Sequence, residues 1–451
     1  MSRPLHIAEA WGRRERWHRF VFPTTRSRSF TQATALRLRK GRVVLVQHGD
    51  LECRYSCPPR TGEAPTFYDE PWLNPASAHA YGAGHHAAPQ GTRCVALETD
   101  LTAEDCDDSI GKLAELLTAL ETTTGPDDLV LLSSTCLPSK LGDDGRIAKL
   151  LGRFPMRSRV LYNDPDVDQA VPPIIEHVAR ALRASRNEAG PSRDRSVNLI
   201  GFPRPTADTS LRQLLGSVGI EVNVELLPDI DLDHLDHFHE APVSVLFPER
   251  HYHEVYHRLF DGVGGRRIAP PPPYGLAGSR RWLTTVAEAL GLEADVERAW
   301  RQIRRNTLPA LEPLAKQLAG QTVGFIGSRI ELKSLADPKQ TQGVPLFSML
   351  AELGLGAEWL ELARPPEPTS TGGSRRRSFE NPAELARLIA ESRCDLFYSD
   401  VAWDGRITRS GKTPISLSSF HPGPEGFIRT ARQLVAASRL RFYQEYREYL
   451  P

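Results

Sequence analysis

Two short apolar runs in the sequence each lead to a cysteine. Val43–Asp50 begins with a Val/Leu-rich stretch and leads to Cys53, and the leucine-rich run that begins at Leu129 ends at Cys136. Such runs predict buried strands of a parallel sheet, and α/β proteins bind ligands at the carboxyl ends of these strands. Because thiolates bind soft metals and iron–sulfur clusters, two cysteines placed alike at two strand ends predict a shared site of this kind.

Cys53 and Cys136 also have a structural interpretation. Free cysteines are usually small buried residues of a hydrophobic core, and spacing alone favours that interpretation. Cys106, beside an acidic helix start, and Cys394, at the entry to a strand, are predicted to be structural. The residues around Cys53 and Cys136 therefore decide between core packing and metal ligation.

The elements that must position these cysteines alternate between strand and helix along the chain. Strands separated by helices are typical of parallel sheets. A polar linker at 186–192 and a run of prolines at 270–273 divide the chain into three predicted domains, 1–190, 191–275 and 276–451. Residues 365–378, rich in Pro, Ser, Gly and Arg, are predicted to be a mobile insertion. Periodicity predicts strands at 92–97, 127–133, 196–201, 220–226, 243–247, 322–326 and 395–399, and helices at 107–122, 172–184, 208–218, 251–261, 279–291, 294–319, 346–354, 382–391 and 424–438.

The composition excludes several classes of function. The 56 basic residues equal the 56 acidic residues, so no net charge favours nucleic acid or an anionic membrane as a partner. No apolar run approaches the length of a membrane span, and Met1–Arg14 lacks the apolar core of a signal peptide. Six cysteines in 451 residues do not make a disulfide scaffold. We expect a cytoplasmic protein in a reducing compartment, which suits an oxygen-sensitive cluster.

The residues around the two cysteines resemble those of a known family. His48–Cys53 places a His-Gly pair before its cysteine, and Ser134–Cys136 is followed by Gly142–Asp144. The acidic turn Glu98–Asp105 lies between them in the sequence. Together these motifs resemble the nitrogenase component 1 family, which includes MoFe-type subunits, cofactor-assembly scaffold subunits and dark-operative protochlorophyllide reductase subunits.

The resemblance implies a fold, a cofactor and partners. It implies an α/β fold of three Rossmann-like domains with parallel sheets, and a role as an oxidoreductase subunit in multi-electron transfer. In nitrogenase, cysteines at the positions of Cys53 and Cys136 are two of the three that each chain gives to an iron–sulfur cluster at the subunit interface. The resemblance also implies a homologous component 1 subunit as partner, in a heterotetramer, and electrons from a separate ATP-dependent iron protein.

The sequence departs from the family at two places. The stretch Arg26–Gln32, where the first cluster cysteine is expected, contains no thiol. Cys57 and Cys94 are the candidates for the missing third ligand, and the alternative is that Cys57 is loop-exposed and Cys94 is core. Val245–Pro248 lacks the cysteine that helps to hold the active-site cofactor in nitrogenase, which makes the chain more β-type than cofactor-bearing. Alternatives to a reductase subunit are a cofactor-assembly scaffold and a degenerate, non-catalytic member of the fold.

A histidine-rich segment supports a separate, hydrolytic interpretation. It comprises Asp231–Glu240 and, close behind, His253–His257, which matches the His-Glu-x-x-His pattern of zinc metalloproteases. On a helix, His253 and His257 would share one face and bind zinc, with Glu254 as general base. The further Gly and His of the metzincin pattern do not follow, so a solvated, charged helix face is the favoured interpretation.

Overall fold

The structure is a computed structural model, and it describes most of the chain from residue 36 onward. The described residues are 36–37, 43–49, 94–99, 101, 108–125, 128–134, 137–138, 141–154, 160–163, 173–186, 190–202, 210–227, 230–231, 234–248, 252–362, 375–399 and 404–447. Three parallel sheets with helices between their strands account for most of these residues. The predicted α/β fold with parallel sheets is therefore confirmed.

The first sheet contains the two strands that lead to Cys53 and Cys136. The elements of this part of the chain are β1 Val43–His48, β2 Cys94–Glu98, α1 Ser109–Thr123, β3 Leu129–Ser134, α2 Asp144–Arg153, β4 Val160–Asn163 and α3 Pro173–Ser185. The strands are parallel and lie in the spatial order β2-β1-β3-β4, which places β1 and β3 side by side at the centre. Their Val and Leu side chains suit a sheet that is buried on both faces. Val46 of β1 and Leu132 of β3 are buried in one core with α1 and α2.

The second sheet has four parallel strands. The elements of this part of the chain are β5 Ser196–Ile200, α4 Arg212–Gly216, β6 Glu221–Leu226, a 3-10 helix Leu235–Glu240, β7 Val243–Leu246, α5 Tyr252–Leu259 and β8 Arg266–Ile268. The spatial order is β8-β7-β5-β6. A separate short parallel pair joins Leu36–Arg37 to Ile230–Asp231.

The third sheet has five parallel strands. The first three strands in the sequence follow one another towards one edge of the sheet, and the last two follow towards the other edge. The elements of this part of the chain are α6 Gly275–Ala289, α7 Glu293–Leu318, β9 Thr322–Gly327, α8 Arg329–Ser334, α9 Leu346–Glu352, β10 Gly356–Leu362, β11 Arg375–Phe379, α10 Pro382–Glu391, β12 Leu396–Tyr398, α11 Gly405–Thr408, β13 Thr413–Ile415, α12 Gly423–Ser438 and α13 Phe442–Glu445. The spatial order is β11-β10-β9-β12-β13.

The predicted insertion at 365–378 is wrong for its last residues, because Arg375–Phe379 is the edge strand β11. Three consecutive arginines hide this strand in the sequence. In the sheet, β11 pairs with β10, and Arg376 and Arg377 form ion pairs with Glu361 and Glu358 on that neighbouring strand. Opposite charges on adjacent strands stabilise a polar edge strand. Residues 365–374 lie outside the described residues.

The second and third sheets share one hydrophobic core. The cluster includes Val197 and Phe247 from the second sheet region, Phe325 from β9, and Trp282 and Phe427 from α6 and α12. A different cluster joins α3 to the second sheet. The division into domains 1–190, 191–275 and 276–451 stays a prediction.

No helix in the described ranges is long and apolar enough to span a membrane.

Candidate functional site

The strands that lead to Cys53 and Cys136 end beside each other. β1 and β3 pair in parallel from Val43 opposite Leu129 to His48 opposite Ser134. The segments that follow these two strands therefore start from neighbouring positions at the carboxyl edge of the first sheet. Cys53 and Cys136 themselves, like Cys57, lie outside the described residues.

His48 occupies this carboxyl edge. Its side chain is fully buried, and its Nδ1 lies 3.1 Å from the Thr99 hydroxyl oxygen at the end of the neighbouring strand β2. The Gly49 amide donates to the same hydroxyl oxygen at 3.0 Å. Burial lowers the pKa of His48 to about 4, although the nearby Asp143 carboxylate acts in the opposite direction. His48 is therefore a neutral imidazole at physiological pH.

A second buried polar group, Asp143, approaches the same edge from the segment after Cys136. Its side chain accepts a short hydrogen bond from the Ser109 hydroxyl and a hydrogen bond of 2.7 Å from Arg146. The Asp143 amide donates to the Pro138 carbonyl at 3.0 Å, which folds the chain back after the Cys136 position. The carboxylate is fully buried and compensated by these donors.

Cys94 lies at the opposite end of the first sheet. It is the first residue of β2 and pairs with Val43, the first residue of β1. Four residues of strand at about 3.3 Å each separate it by roughly 13 Å from the carboxyl edge. Its position therefore weakens the case for Cys94 as a third ligand of the same site.

Cys394, which the sequence predicts to be structural, lies in a buried polar network of the third sheet region. Its Sγ lies 3.0 Å from Glu358 Oε2, and the Ser392 hydroxyl donates a short hydrogen bond to the same oxygen. Burial, together with the adjacent Glu358 carboxylate, raises the pKa of the Cys394 thiol to about 12. A thiol with so high a pKa is not a nucleophile near neutral pH. Cys106 lies outside the described residues.

The histidine-rich segment is used mostly for structural contacts. His237 Nδ1 lies 2.7 Å from Glu240, which also pairs with Arg193 at 2.9 Å, and His239 Nε2 lies 2.8 Å from the Leu182 carbonyl oxygen.

The two histidines of the zinc-protease pattern are exposed neighbours on α5. The rings of His253 and His257 lie 5.4 Å apart between centroids. Among the described residues, no group of three His, Cys, Asp or Glu side chains is placed to hold a metal ion. The geometry of the described residues thus adds no third ligand to this pair.

A comparison with protein families decides the chain's membership. The family described as nitrogenase component 1 type oxidoreductase matches residues 96–437, which is more than half of the chain. The chain belongs to this family. The matched residues include Cys136 and the Asp143 turn, whereas β1 and Cys53 precede them.

Curated relatives and solved structures agree with this membership. The chain is similar to light-independent protochlorophyllide reductase subunit N of Acidiphilium rubrum, with 25% identity over 286 residues, 62% of this chain and 63% of the relative. It is 32% identical over 108 residues, 24% of this chain, to subunit N of the same reductase from Rhodospirillum rubrum, of which the match spans 22%. The matches thus span less than two thirds of each relative.

Two solved structures, described as nitrogenase Cp1 at pH 5 and at pH 6.5, share the fold. They superpose with TM-scores of 0.58 and 0.57 at 14% and 13% identity, over 93% of this chain and 90% of theirs.

The sequence indicated His48 as part of a motif, but not its hydrogen bond with Thr99 or the nearby charge of Asp143. A signal for Thr99 was present, because it lies two residues after the end of the predicted strand 92–97, and His48 lies at the end of the apolar run that begins at Val43. Residues at the carboxyl ends of neighbouring parallel strands meet at one edge. No sequence signal indicated that Asp143 would be buried against this edge.

Proposed function

We propose that the chain is one subunit of a nitrogenase-like multi-electron reductase and that Cys53 and Cys136 hold an iron–sulfur cluster at its carboxyl sheet edge. One observation carries the proposal. In a member of the nitrogenase component 1 family, β1 and β3 end in register, so the segments that contain the two cysteines leave the sheet from adjacent positions. Thiolates from separate strand ends give a rigid ligand geometry for such a cluster.

The residues at this edge of the first sheet are chemically suited to an iron–sulfur cluster. A neutral, buried imidazole and a charge-compensated Asp143 place no unpaired charge beside the cluster. One ring nitrogen of His48, Nε2, is buried without a hydrogen-bond partner among the described residues. When bound, the cluster would accept and donate single electrons. The chain's own residues would hold it, orient its ligands and exclude water from the edge.

Two thiolates are an incomplete ligand set, which supports a partner subunit. Clusters of this class are commonly held by four cysteines. Cys57 is the substitute third thiol that the proposal favours, because Cys94 begins β2 at the far end of the sheet. The remaining ligands would come from a homologous component 1 subunit, in a heterotetramer. No Walker A sequence occurs in the chain, so ATP hydrolysis belongs to a separate iron protein.

The similarity to subunit N of light-independent protochlorophyllide reductase supports a place in the tetrapyrrole-reductase branch. The absence of a cysteine at Val245–Pro248 supports a chain that holds no nitrogenase-type active-site cofactor. A cofactor-assembly scaffold is the alternative, since it would use the same fold and the same thiolates but hand its cluster on.

The experiment that tests this function is anaerobic purification of the chain with its partner subunit, followed by iron, sulfide and visible absorption measurements. We expect iron and sulfide in the wild-type complex and their loss in Cys53→Ala and Cys136→Ala. Cys394→Ala is the matched control, because Cys394 is buried in the third sheet region. An iron-free, colourless wild-type complex would refute the proposal. Reduction of a tetrapyrrole by the reconstituted complex distinguishes a reductase from a scaffold.

A further inference from the structure

The solvent-facing side of α12 carries arginines that have no carboxylate partner. Phe427 and other apolar residues bury one side of this helix. Arg429 and Arg432 lie on the other side, Arg439 follows the end of the helix, and all three are exposed. Arg439 donates a hydrogen bond to the neutral side chain of Gln317 on α7. Among the described residues, no carboxylate forms an ion pair with any of the three arginines, so their charges are available to a partner.

Exposed arginines in other parts of the chain do have carboxylate partners. Arg298 pairs with Asp295 at 2.7 Å, and Arg387 pairs with Glu391 at 3.3 Å. Residues 423–447 contain five arginines and two glutamates, whereas the whole chain balances 56 basic residues against 56 acidic residues. The positive charge around α12 is therefore a local excess, which favours an acidic partner.

Exposed apolar side chains lie directly beside these arginines. Leu440 is 45% exposed, Phe442 41% and Tyr446 48%. The rings of Phe442 and Tyr446 lie 5.1 Å apart between centroids. The helix α13, which begins at Phe442, packs against Gly411, where an added Cβ would lie 3.3 Å from Gln444 Cγ. The exposed rings are therefore presented by an element that is packed on the third sheet region.

The exposed arginines and the exposed apolar side chains together form an arginine–aromatic face, which comprises Arg429, Arg432, Arg439, Leu440, Phe442 and Tyr446. We propose that this face is a docking surface for an acidic protein segment in which carboxylates flank an apolar side chain. The carboxylates pair with the arginines, and the apolar side chain packs on the two rings. Arginine and aromatic residues are enriched in protein interfaces.

The size and charge of the arginine–aromatic face suit a short segment that binds reversibly. The helical part, from Arg429 to the end of α12, is about 14 Å long, which is small for a permanent subunit interface. Exposed charges speed association and make binding sensitive to salt. A nucleic acid is disfavoured because the chain as a whole has no net positive charge. The proposal does not depend on an iron–sulfur cluster.

The test uses the full chain and a fluorescein-labelled synthetic peptide in which glutamates flank one leucine and one phenylalanine. Fluorescence anisotropy at several salt concentrations measures its affinity. A peptide with lysines in place of the glutamates and a single-stranded RNA of the same length are the comparison probes. Arg429→Gln/Arg432→Gln removes two charges that have no carboxylate partner. Arg298→Gln/Arg387→Gln is the matched control, because it removes two exposed charges that are already paired.

We expect Arg429→Gln/Arg432→Gln to weaken binding of the acidic peptide by about fivefold and to reduce its salt dependence, as for the loss of two exposed ion pairs. The control pair should leave the affinity nearly unchanged. Leu440→Ser/Tyr446→Ser should weaken binding at every salt concentration and keep the salt dependence, because it removes apolar contacts only.

Several results would overturn the proposal. They are the absence of binding by the acidic peptide, equal or tighter binding of the lysine peptide or the RNA, and equal weakening by the control pair. A photoreactive phenylalanine analogue in the peptide provides a readout that needs no variant. Its cross-links to the wild-type chain should map to residues 429–447, and cross-links confined to other parts of the chain would also overturn the proposal.

Discussion

Gly343, in the third sheet region, lies against Phe247 of the second sheet region. A methyl group added at Gly343 is therefore expected to lower the free energy of unfolding strongly. Gly343 has φ of +81°, and a Cβ built there would lie 2.2 Å from Phe247 Cε1. Phe247 follows β7, is 1% exposed, and packs against Phe202 with ring centroids 5.0 Å apart. The ring therefore has little room to move away from an added side chain.

The magnitude follows from two separable terms. A non-glycine residue in the left-handed region costs about 1–2 kcal/mol. Forcing an extra methyl group into a packed core costs typically about 1–3 kcal/mol more. Gly343→Ala should therefore lower the free energy of unfolding by about 2–5 kcal/mol. Gly320 has φ of +78° with nothing within 4 Å of an added Cβ. Gly320→Ala should therefore lower the free energy of unfolding only by the backbone cost of about 1–2 kcal/mol.

Urea denaturation of the two variants and wild type, followed by circular dichroism, measures both losses. We expect Gly343→Ala to be less stable than Gly320→Ala by about 1–3 kcal/mol. Replacing the Phe247 ring by leucine in the double variant Gly343→Ala/Phe247→Leu should recover part of this difference, because the added Cβ clashes with carbons of that ring. Equal losses at Gly343 and Gly320 would refute the argument that Phe247 is packed tightly against the third sheet region.

Two further predictions concern titration and metal binding. Burial alone would raise the pKa of Glu358. Its pKa is nevertheless lowered, because the carboxylate accepts hydrogen bonds from Cys394 and Ser392 and lies beside the positive charge of Arg377. The resulting stabilisation is present above the unfolded pKa of about 4.3 and is lost as pH falls through the lower folded value. Glu358→Gln should therefore lower the free energy of unfolding at pH 7 by about 1.5–3 kcal/mol, as measured by urea denaturation. The same loss of stability relative to wild type in acid, below the folded pKa of Glu358, would contradict the ion-pair argument. For the exposed pair His253 and His257, we expect no stoichiometric zinc in the dialysed chain by elemental analysis, and one zinc per chain that disappears in His257→Ala would revive the hydrolase interpretation.

Much of the fold could be predicted from the sequence where apolar periodicity and capping residues agree. The helix predicted at 382–391 is Pro382–Glu391, because Asn381 caps its amino terminus, proline begins it, and Leu385 and Ile389 bury one face. Edge strands were harder to predict. β11 carries arginines whose partners lie on β10, and a strand stabilised by cross-strand ion pairs shows no apolar alternation.

The candidate site could be predicted only in part. The residue types at Cys53 and Cys136 and the apolar runs before them indicated two strand ends, and the structure shows those ends in register. The contact of His48 with Thr99 joins residues 51 positions apart. Such a contact depends on strand register, which apolar composition does not specify when both faces of a strand are buried.

The most direct test of the proposed cluster site is to measure whether the thiols of Cys53 and Cys136 are neighbours. The iron-free, full-length chain would be treated with a bifunctional thiol reagent short enough to join only adjacent sulfurs, and the linked peptides identified by mass spectrometry. Because β1 and β3 end side by side, we predict a Cys53–Cys136 cross-link that is absent in Cys53→Ser and in Cys136→Ser. Modification of both cysteines singly, without any link between them, would contradict a shared cluster site.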